Sequence, residues 1–531
     1  MCVLGWAKGC PTGRFVVATQ RFPGDQPVPN YPVPSTSASF EPAVEAFRRL
    51  LAHLATPTTA AADHATVERV IDTEGTELMR LLFQGWLDQR ASAEPRRNVA
   101  GQDGVLRTHH RSSAREIECL FGTAVVRRDR VGSPGVRALA PLDATLNLPD
   151  DRFTLGVRER VATEAARGSF EAAVDVMDET TGAAVAKRQA EELVRSAAVD
   201  FDAFYEEKVR SDVAGTSPCD LLVLTVDGKG VVMRPDGLRE GTRKKATRGT
   251  HKLAGRLSKG EKRNRKRMAT VAAVYDLPPV PRSVSDVLGE LARKPSVPRP
   301  RARRKRVWAS LEKMPRDVIV AAFAEAEQRD PAHKRRWVAL VDGNATQIRE
   351  IRRAARCAGV EVTPVLDFIH VTEYLWDAAW EFYKEGDPRA ESWVRKYQGE
   401  VLRGRASLVA AAIRRAATAR RLERRTSTDA AATYLLGHRD MLRYDLYLRD
   451  GLPIGTGVIE GTCRHLVKDR MDITGARWGL AGAEAILRLR SLAASGDLAA
   501  YWEFHREREF ERNHASHYAD AEETWLWRAA A

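Results

Sequence analysis

Three short strand-like runs each close on an aspartate: LLVLTVD ending at Asp227, WVALVD at Asp342, and VEVTPVLD at Asp367. The first two are apolar at nearly every position and read as strands buried in the middle of a sheet, while VEVTPVLD, with Glu361 and Thr363 between its apolar residues, reads as a further strand. The chain between them is helical in pattern. Residues 315–328 read as one helix, and NATQIREIRRAARCAG (344–359) as another that closes on glycine. Strands joined by helices predict an α/β sheet. RMATVAAVYD (267–276) adds a further strand. LLVLTVDGKGVVMR is expected to fold back at DGKG as a hairpin. RKPSVPRPRARRKR (293–306) reads as a basic linker.

The rest of the chain falls into blocks around that sheet. Residues 1–40, rich in Pro, Ser and Thr, read as a flexible tail. Residues 41–150 are helical and then extended. Leu50, Leu51 and Leu54, then Leu78, Leu81 and Leu82, fit the spacing of a buried helical face, and FGTAVVRRDRV is the clearest strand. Residues 151–215 hold consecutive short helices. In the last of these, Ala186, Ala190, Leu193, Val194 and Ala197 form an inner face, while Lys187, Arg188 and Gln189 near its start point outward. That is the layout of a DNA-reading helix-turn-helix and equally of a plain helical bundle. The sheet block spans 219–370 with a basic loop at 239–267. An all-helical stretch follows over 371–450, then a glycine-rich turn and helix over 451–495, and a charged helical tail over 496–531.

Composition narrows the setting. Among 531 residues, 85 Lys and Arg outnumber 71 Asp and Glu, for a net charge of +14. A field of that sign favours a polyanion, because neutralised phosphates release condensed counterions. Six scattered cysteines without a C-x-x-C pair argue against a structural zinc site or a disulfide framework, and fit a reducing cytoplasm. No apolar run approaches the ~20 residues of a membrane span, so no membrane is expected among the partners.

The acids suggest the chemistry. Asp227 and Asp342 end expected strands, and Glu460 stands in the first turn of a helix after LPIGTG. Ligands of open α/β sheets lie beyond the carboxyl ends of strands. Phosphodiester transfer needs two hard cations ~3.5–4 Å apart, one for the attacking and one for the leaving oxygen. Mg²⁺, or Mn²⁺ in its place, takes carboxylate and water oxygens and keeps several waters, so few protein ligands suffice. Singly, each acid is also explained as a turn residue or a helix-dipole partner.

VDGKG, RLSKGEKRNRKRMATVAAVYD, VDG, LDFIHVTEYLW and IGTGVIEGTCRHLVKDRMDITGARWGLAGAEAILRLR together resemble the transposases of the ISKra group of bacterial insertion sequences, from about residue 75 to about residue 505. The resemblance implies an α/β RNase H-like catalytic core with an all-helical insertion, preceded by a mainly helical DNA-binding region. It implies Asp227, Asp342 and Glu460 as the acids that bind two Mg²⁺ ions in a DDE enzyme. It also implies terminal inverted repeats and target DNA as partners, a homo-oligomer on paired ends, and a DNA-associated protein of the bacterial cytoplasm. Related helix-inserted enzymes carry a C-x-x-H or D-x-x-H pair one strand after the second acid. Asp367 and His370 stand in that arrangement, either supporting the site or, for Asp367, replacing Asp342 as the second ligand.

The surrounding cations complete the candidate set. Arg464 and Lys468 follow Glu460 at i+4 and i+8, on the same expected helical face, where they hold a DNA phosphate or support the helix by ion pairing. Trp478 reads as a stacking platform for an unpaired base or as a core residue. The basic run from Arg243 to Arg267, with His251, Arg263, Arg265 and Lys266, is expected to grip the DNA backbone.

Overall fold

A computed structural model describes residues 38–208, 217, 219–248, 253, 258, 263–289, 300–473 and 475–519. Of the expected tail over 1–40, residues 1–37 lie outside the described residues, and Ala38–Phe40 form a single helical turn; His251 and the last residues of the C-terminal tail also lie outside the described residues.

The N-terminal region has two long helices, α1 (Glu41–Leu54) and α2 (His64–Ser92), two short helical turns over Pro57–Ala60 and Pro141–Thr145, and an antiparallel hairpin, β1 (His109–Cys119) and β2 (Gly122–Gly132). Asp63 starts α2 by accepting the Thr66 N–H. The leucine stripe is only partly covered. Leu50 is buried, but Leu51 and Leu82 are 51% and 39% exposed, because α1 and α2 pack on each other and on β2 along one side only.

Next, α3 (Leu155–Arg167), α4 (Phe170–Thr180) and α5 (Lys187–Ala197) pack together around Val157, Val161, Met177, Val185 and Leu193. The Thr154 and Ser169 hydroxyls cap α3 and α4. Ala190, Leu193, Val194 and Ala197 are buried as the spacing predicts, whereas Ala186 is exposed because it precedes the helix as its cap.

A five-stranded sheet follows. It comprises β3 (Leu221–Val232), β4 (Lys266–Leu277), β5 (Arg303–Ser310), β6 (Trp337–Val341) and β7 (Val362–Leu366). The strand order is β5–β4–β3–β6–β7. The β5–β4 and β4–β3 pairs are antiparallel, and the β3–β6 and β6–β7 pairs are parallel. Every residue of β6 is buried, as a central apolar run requires. Helices α6 (Pro315–Arg329) and α7 (Ala345–Ala358) pack on the sheet and on each other.

Two expectations are corrected here. First, β3 does not fold back at DGKG. It is one continuous strand, paired with β4 from Leu221 opposite Leu277 to Val232 opposite Lys266. Gly228 and Gly230 keep ordinary strand conformation, not the positive φ of a turn, and the β4 side chains of Met268 and Lys266 lie over them. Asp227 therefore sits inside its strand, not at its end. Second, part of the basic linker is the edge strand β5. Its outer half is charged and exposed, which hides the strand, while Arg306 through Ser310 are buried. The basic loop is also part helix, over Glu240–Arg248, with no buried residue.

Beyond β7 the chain is helical: α8 (Phe368–Phe382), α9 (Pro388–Leu402), α10 (Ala406–Ala419) and α11 (Thr426–Gly437). It returns to the sheet with α12 (Gly457–Thr462), which widens into a π-helical turn over Cys463–Lys468, and then α13 (Leu480–Ser495). α13 packs on β5 and also on α3 and α5, so one continuous core joins the three-helix unit to the sheet. α14 (Leu498–Asn513) closes the described chain against α13. No helix among the described residues is long and apolar enough to cross a membrane.

Candidate active site

Strand register assembles the acids. Thr225 of β3 pairs with Leu340 of β6, so continuing that register by two residues sets Asp342 alongside Asp227. Val341 pairs with Leu366, and one more residue sets Asp367 alongside Asp342. Aligned residues of neighbouring strands share a face about 4.8 Å apart. Three acids distant in sequence thus form a row across three adjacent strands.

Their surroundings differ. Asp227 is half-buried; its Oδ1 accepts its neighbour Gly228 N–H at 2.6 Å and its Oδ2 accepts the Cys463 thiol at 3.3 Å. Asp342 is half-buried, and its Oδ1 accepts the Asn344 N–H at 2.8 Å in the turn that starts α7. Asp367 is fully buried. Its Oδ1 caps α8 by accepting the Ile369 N–H at 3.0 Å, and its Oδ2 meets the Thr456 hydroxyl. Burial raises the Asp367 pKa above the ordinary carboxylate value, against the opposing pull of Thr456 and Ile369.

Glu460 comes from a later segment of the chain. It is exposed in the first turn of α12, and its Oε1 lies 3.3 Å from the Thr456 hydroxyl that also meets Asp367. Three residues on, the π-helical turn opens at Cys463, whose buried thiol reaches Asp227. Burial, and then the charge of Asp227, push this thiol well above its usual pKa, so it stays protonated as a donor. Glu460 and Asp227 are thereby tied to the same short segment. π-turns of this kind recur at functional sites.

The helical stretch over 371–450 acts as a buttress. The Tyr434 hydroxyl of α11 donates to the Asp342 carbonyl at 2.9 Å, and its ring stacks on Tyr374 at 4.0 Å. Tyr444 donates to the Leu366 carbonyl at 2.7 Å, beside Asp367. Burial raises the pKa of both phenols, so both remain donors. His370, one turn into α8, is held by Glu373 at 2.9 Å. Partial burial lowers its pKa, but the Glu373 bond and the fields of Asp367 and Asp342 outweigh this, and the net shift is upward.

Among the described residues, no three His, Cys, Asp or Glu side chains form a ready-made metal cage. The donor set still suits a hard cation. Asp227, Asp342 and Glu460 offer oxygens only, and all three are at least partly open to solvent, whereas both Asp367 oxygens are committed inside the fold. The thiols of Cys119, Cys219, Cys357 and Cys463 are free.

The expected DNA contacts divide. Lys187 and Arg188 are exposed at the start of α5, paired loosely with Glu171 and Glu192 at 3.4 Å each. Gln189 is corrected: it is half-buried and does not point outward, because its Oε1 accepts the Ala186 N–H at 3.0 Å and closes the helix start. Arg263, Arg265 and Lys266 are exposed where the chain enters β4. Arg464 and Lys468 are exposed, as Glu460 is, with Arg464 3.7 Å from Asp469. The π-turn between them breaks the strict i+4 and i+8 phase from Glu460.

Trp478 is also corrected. It is 7% exposed, its backbone bonds to Val232 and Arg234 extend the β3 edge, and its indole N–H donates to the Met471 carbonyl at 3.1 Å. The Arg470 guanidinium lies 4.7 Å from its ring and Phe170 packs at 6.2 Å, so the indole is a core residue. The residues sequence reasoning missed are Thr456, Cys463, Tyr434 and Tyr444. Only Thr456 carried a signal, standing between two glycines four residues before Glu460.

No protein-family model matches the chain, and no curated protein matches it.

Proposed function

We propose that the protein is a DNA transposase with an RNase H-like core, in which Asp227, Asp342 and Glu460 bind two Mg²⁺ ions and cut and rejoin DNA strands. The observation that carries this reading is the β3–β6 register, which aligns Asp227 with Asp342 when continued two residues past its last pair, together with the bond that ties the segment after Glu460 to Asp227. The strand order, three antiparallel strands continued by two parallel ones, supports an RNase H-like core. The resemblance of the motif blocks supports the transposase class, and the net charge of +14 supports a nucleic-acid partner.

Bound Mg²⁺ supplies charge neutralisation at the attacking and leaving oxygens. The chain supplies position. Tyr434 fixes the turn that carries Asp342, and the Cys463 thiol orients Asp227. Glu460, exposed and within hydrogen-bonding distance of the Thr456 hydroxyl, would complete the set. Asp342 is preferred to Asp367 as the second ligand because Asp367 has no oxygen left facing solvent. Exposed Arg263, Arg265, Lys266, Arg464 and Lys468 hold the DNA backbone, and Lys187 and Arg188 at the start of α5 reach toward base edges. The protein acts as an oligomer on paired element ends, in the bacterial cytoplasm.

The test is an assay with Mg²⁺ and labelled DNA whose ends come from the flanks of the encoding gene. The wild type is expected to expose 3′-OH ends and join them to a target. Asp227→Asn, Asp342→Asn and Glu460→Gln are expected to do neither. Cutting without joining identifies a nuclease. Binding without cutting in Mg²⁺ or Mn²⁺ identifies a non-catalytic DNA-binding protein. Either result removes the proposal.

A further inference from the structure

We propose that Thr456 is a positioning residue: its hydroxyl, anchored on the buried carboxyl of Asp367, sets where the Glu460 carboxylate stands. The inference rests on the reading of Glu460 as a metal-binding acid.

The anchor is rigid. The Asp367 N–H donates to the Val341 carbonyl at 2.8 Å, which locks it to the end of β6. The Phe368 N–H donates to the Ile454 carbonyl at 2.8 Å, which locks the chain two residues before Thr456 to the start of α8. Thr456 is itself buried, and the Glu460 N–H donates to its carbonyl at 3.0 Å. The Thr456 hydroxyl then lies within hydrogen-bonding distance of both Asp367 Oδ2 and Glu460 Oε1. A mobile, exposed side chain is thus tied through one atom to the most deeply held carboxyl of the row.

Proton counting gives this contact a direction. A hydroxyl has one proton and two lone pairs. Set between two carboxylates it can donate to only one of them, and the other contact is repulsive. If Asp367 carries a proton, it donates to Thr456 Oγ, and the Thr456 proton is left for Glu460. Both contacts are then hydrogen bonds, and the negative charge stays on Glu460, where a cation needs it. Partners of this kind, one step behind a ligand, orient the ligand and tune affinity.

The test is Mn²⁺ binding by the whole chain without DNA, followed by electron paramagnetic resonance, for the wild type, Thr456→Val, Thr456→Ser, Asp367→Asn and Glu460→Gln. Thr456→Val is expected to bind about 10- to 100-fold more weakly, the usual effect of removing such a partner. Thr456→Ser keeps the hydroxyl and is expected to bind as the wild type does. Asp367→Asn is also expected to match the wild type, because its amide N–H can donate to Thr456 Oγ while its carbonyl accepts from Ile369. Wild-type affinity in folded Thr456→Val overturns the proposal. So does an Asp367→Asn variant that loses Mn²⁺ as fully as Glu460→Gln, since Asp367 would then be a ligand itself. That second comparison stands even if Thr456→Val fails to fold. If the wild type binds no Mn²⁺, or Glu460→Gln binds as tightly as the wild type, the reading of the site falls, and this inference with it.

Discussion

Asp342 and Asp367 are neighbours in the same row, yet they should fail differently when truncated. Asp367→Ala removes a helix cap and leaves the Thr456 hydroxyl facing a small buried void. A loss of about 2 kcal/mol of stability is expected, read as a fall in the denaturation midpoint. Asp342→Ala, half-buried in a turn, should cost less than about 1 kcal/mol while abolishing cleavage. An inactive Asp367→Ala would therefore not identify a ligand unless the protein remained folded. If the two losses of stability prove equal, the distinction between site and scaffold is wrong. A second residue, His514, makes stability depend on pH. It is buried and its Nε2–H donates to the Leu148 carbonyl at 2.8 Å. Burial lowers its pKa below the ordinary value of 6.5, although that bond opposes the shift. The unfolded chain therefore takes up a proton first as pH falls. Stability should decline from about pH 6.5 downward, by up to ~1.4 kcal/mol per pH unit, and level off below the folded pKa. Melting from about pH 7.5 to about pH 5.5 should show this in the wild type and less of it in His514→Gln, where an amide can keep the bond.

At the scale of elements, the turn from β6 into α7 is the most constrained part of the site. Gly343 has φ +95°, and a Cβ there would lie 2.8 Å from the Tyr434 ring and hydroxyl. Gly343→Ala should cost about 1–3 kcal/mol and displace the phenol that holds the Asp342 carbonyl. Reduced cleavage with a lowered melting point is the expected result, and an unaffected enzyme would separate the buttress from the chemistry. This turn was readable in the sequence, because DGN after five apolar residues is both a strand end and a helix cap. So was α6, expected over 315–328 and found as Pro315–Arg329. Other elements were hidden for physical reasons. β3 runs through its glycines because β4 pairs with it on both sides of them, and pairing is a tertiary fact that local turn propensity does not register. β5 was masked because an edge strand can carry charge on its outer half. In the candidate site, the acids and His370 stood out by residue type and position. Tyr434 and Tyr444 did not, since they act on partners 92 and 78 residues away in sequence, and Thr456 showed only as a residue between two glycines.

On the scale of the whole molecule, charge and core divide the work. One hydrophobic core runs from the three-helix unit through the sheet to α13, so the acids sit on a fixed frame. Most of the basic residues lie on the outside, although several arginines, among them Arg158, Arg306, Arg335 and Arg470, are buried. The helix Glu240–Arg248 buries nothing and presents Arg243, Lys244, Lys245 and Arg248 to solvent. If it lies along DNA, replacing Arg243, Lys244 and Lys245 with Gln should flatten the salt dependence of DNA binding by about 0.9 in log–log slope for each phosphate no longer neutralised. An unchanged slope would put the DNA path elsewhere. Whether Asp227, Asp342 and Glu460 meet at one divalent-cation site can be tested without knowing any DNA sequence. Fe²⁺ bound in place of Mg²⁺, with ascorbate and peroxide, cuts the polypeptide backbone near the ion. Breaks are expected close to residues 227, 342 and 460, competed by Mg²⁺ and abolished together in Asp227→Asn. Breaks at only one of these places, or a pattern that ignores both Mg²⁺ and the substitution, would refute a shared site.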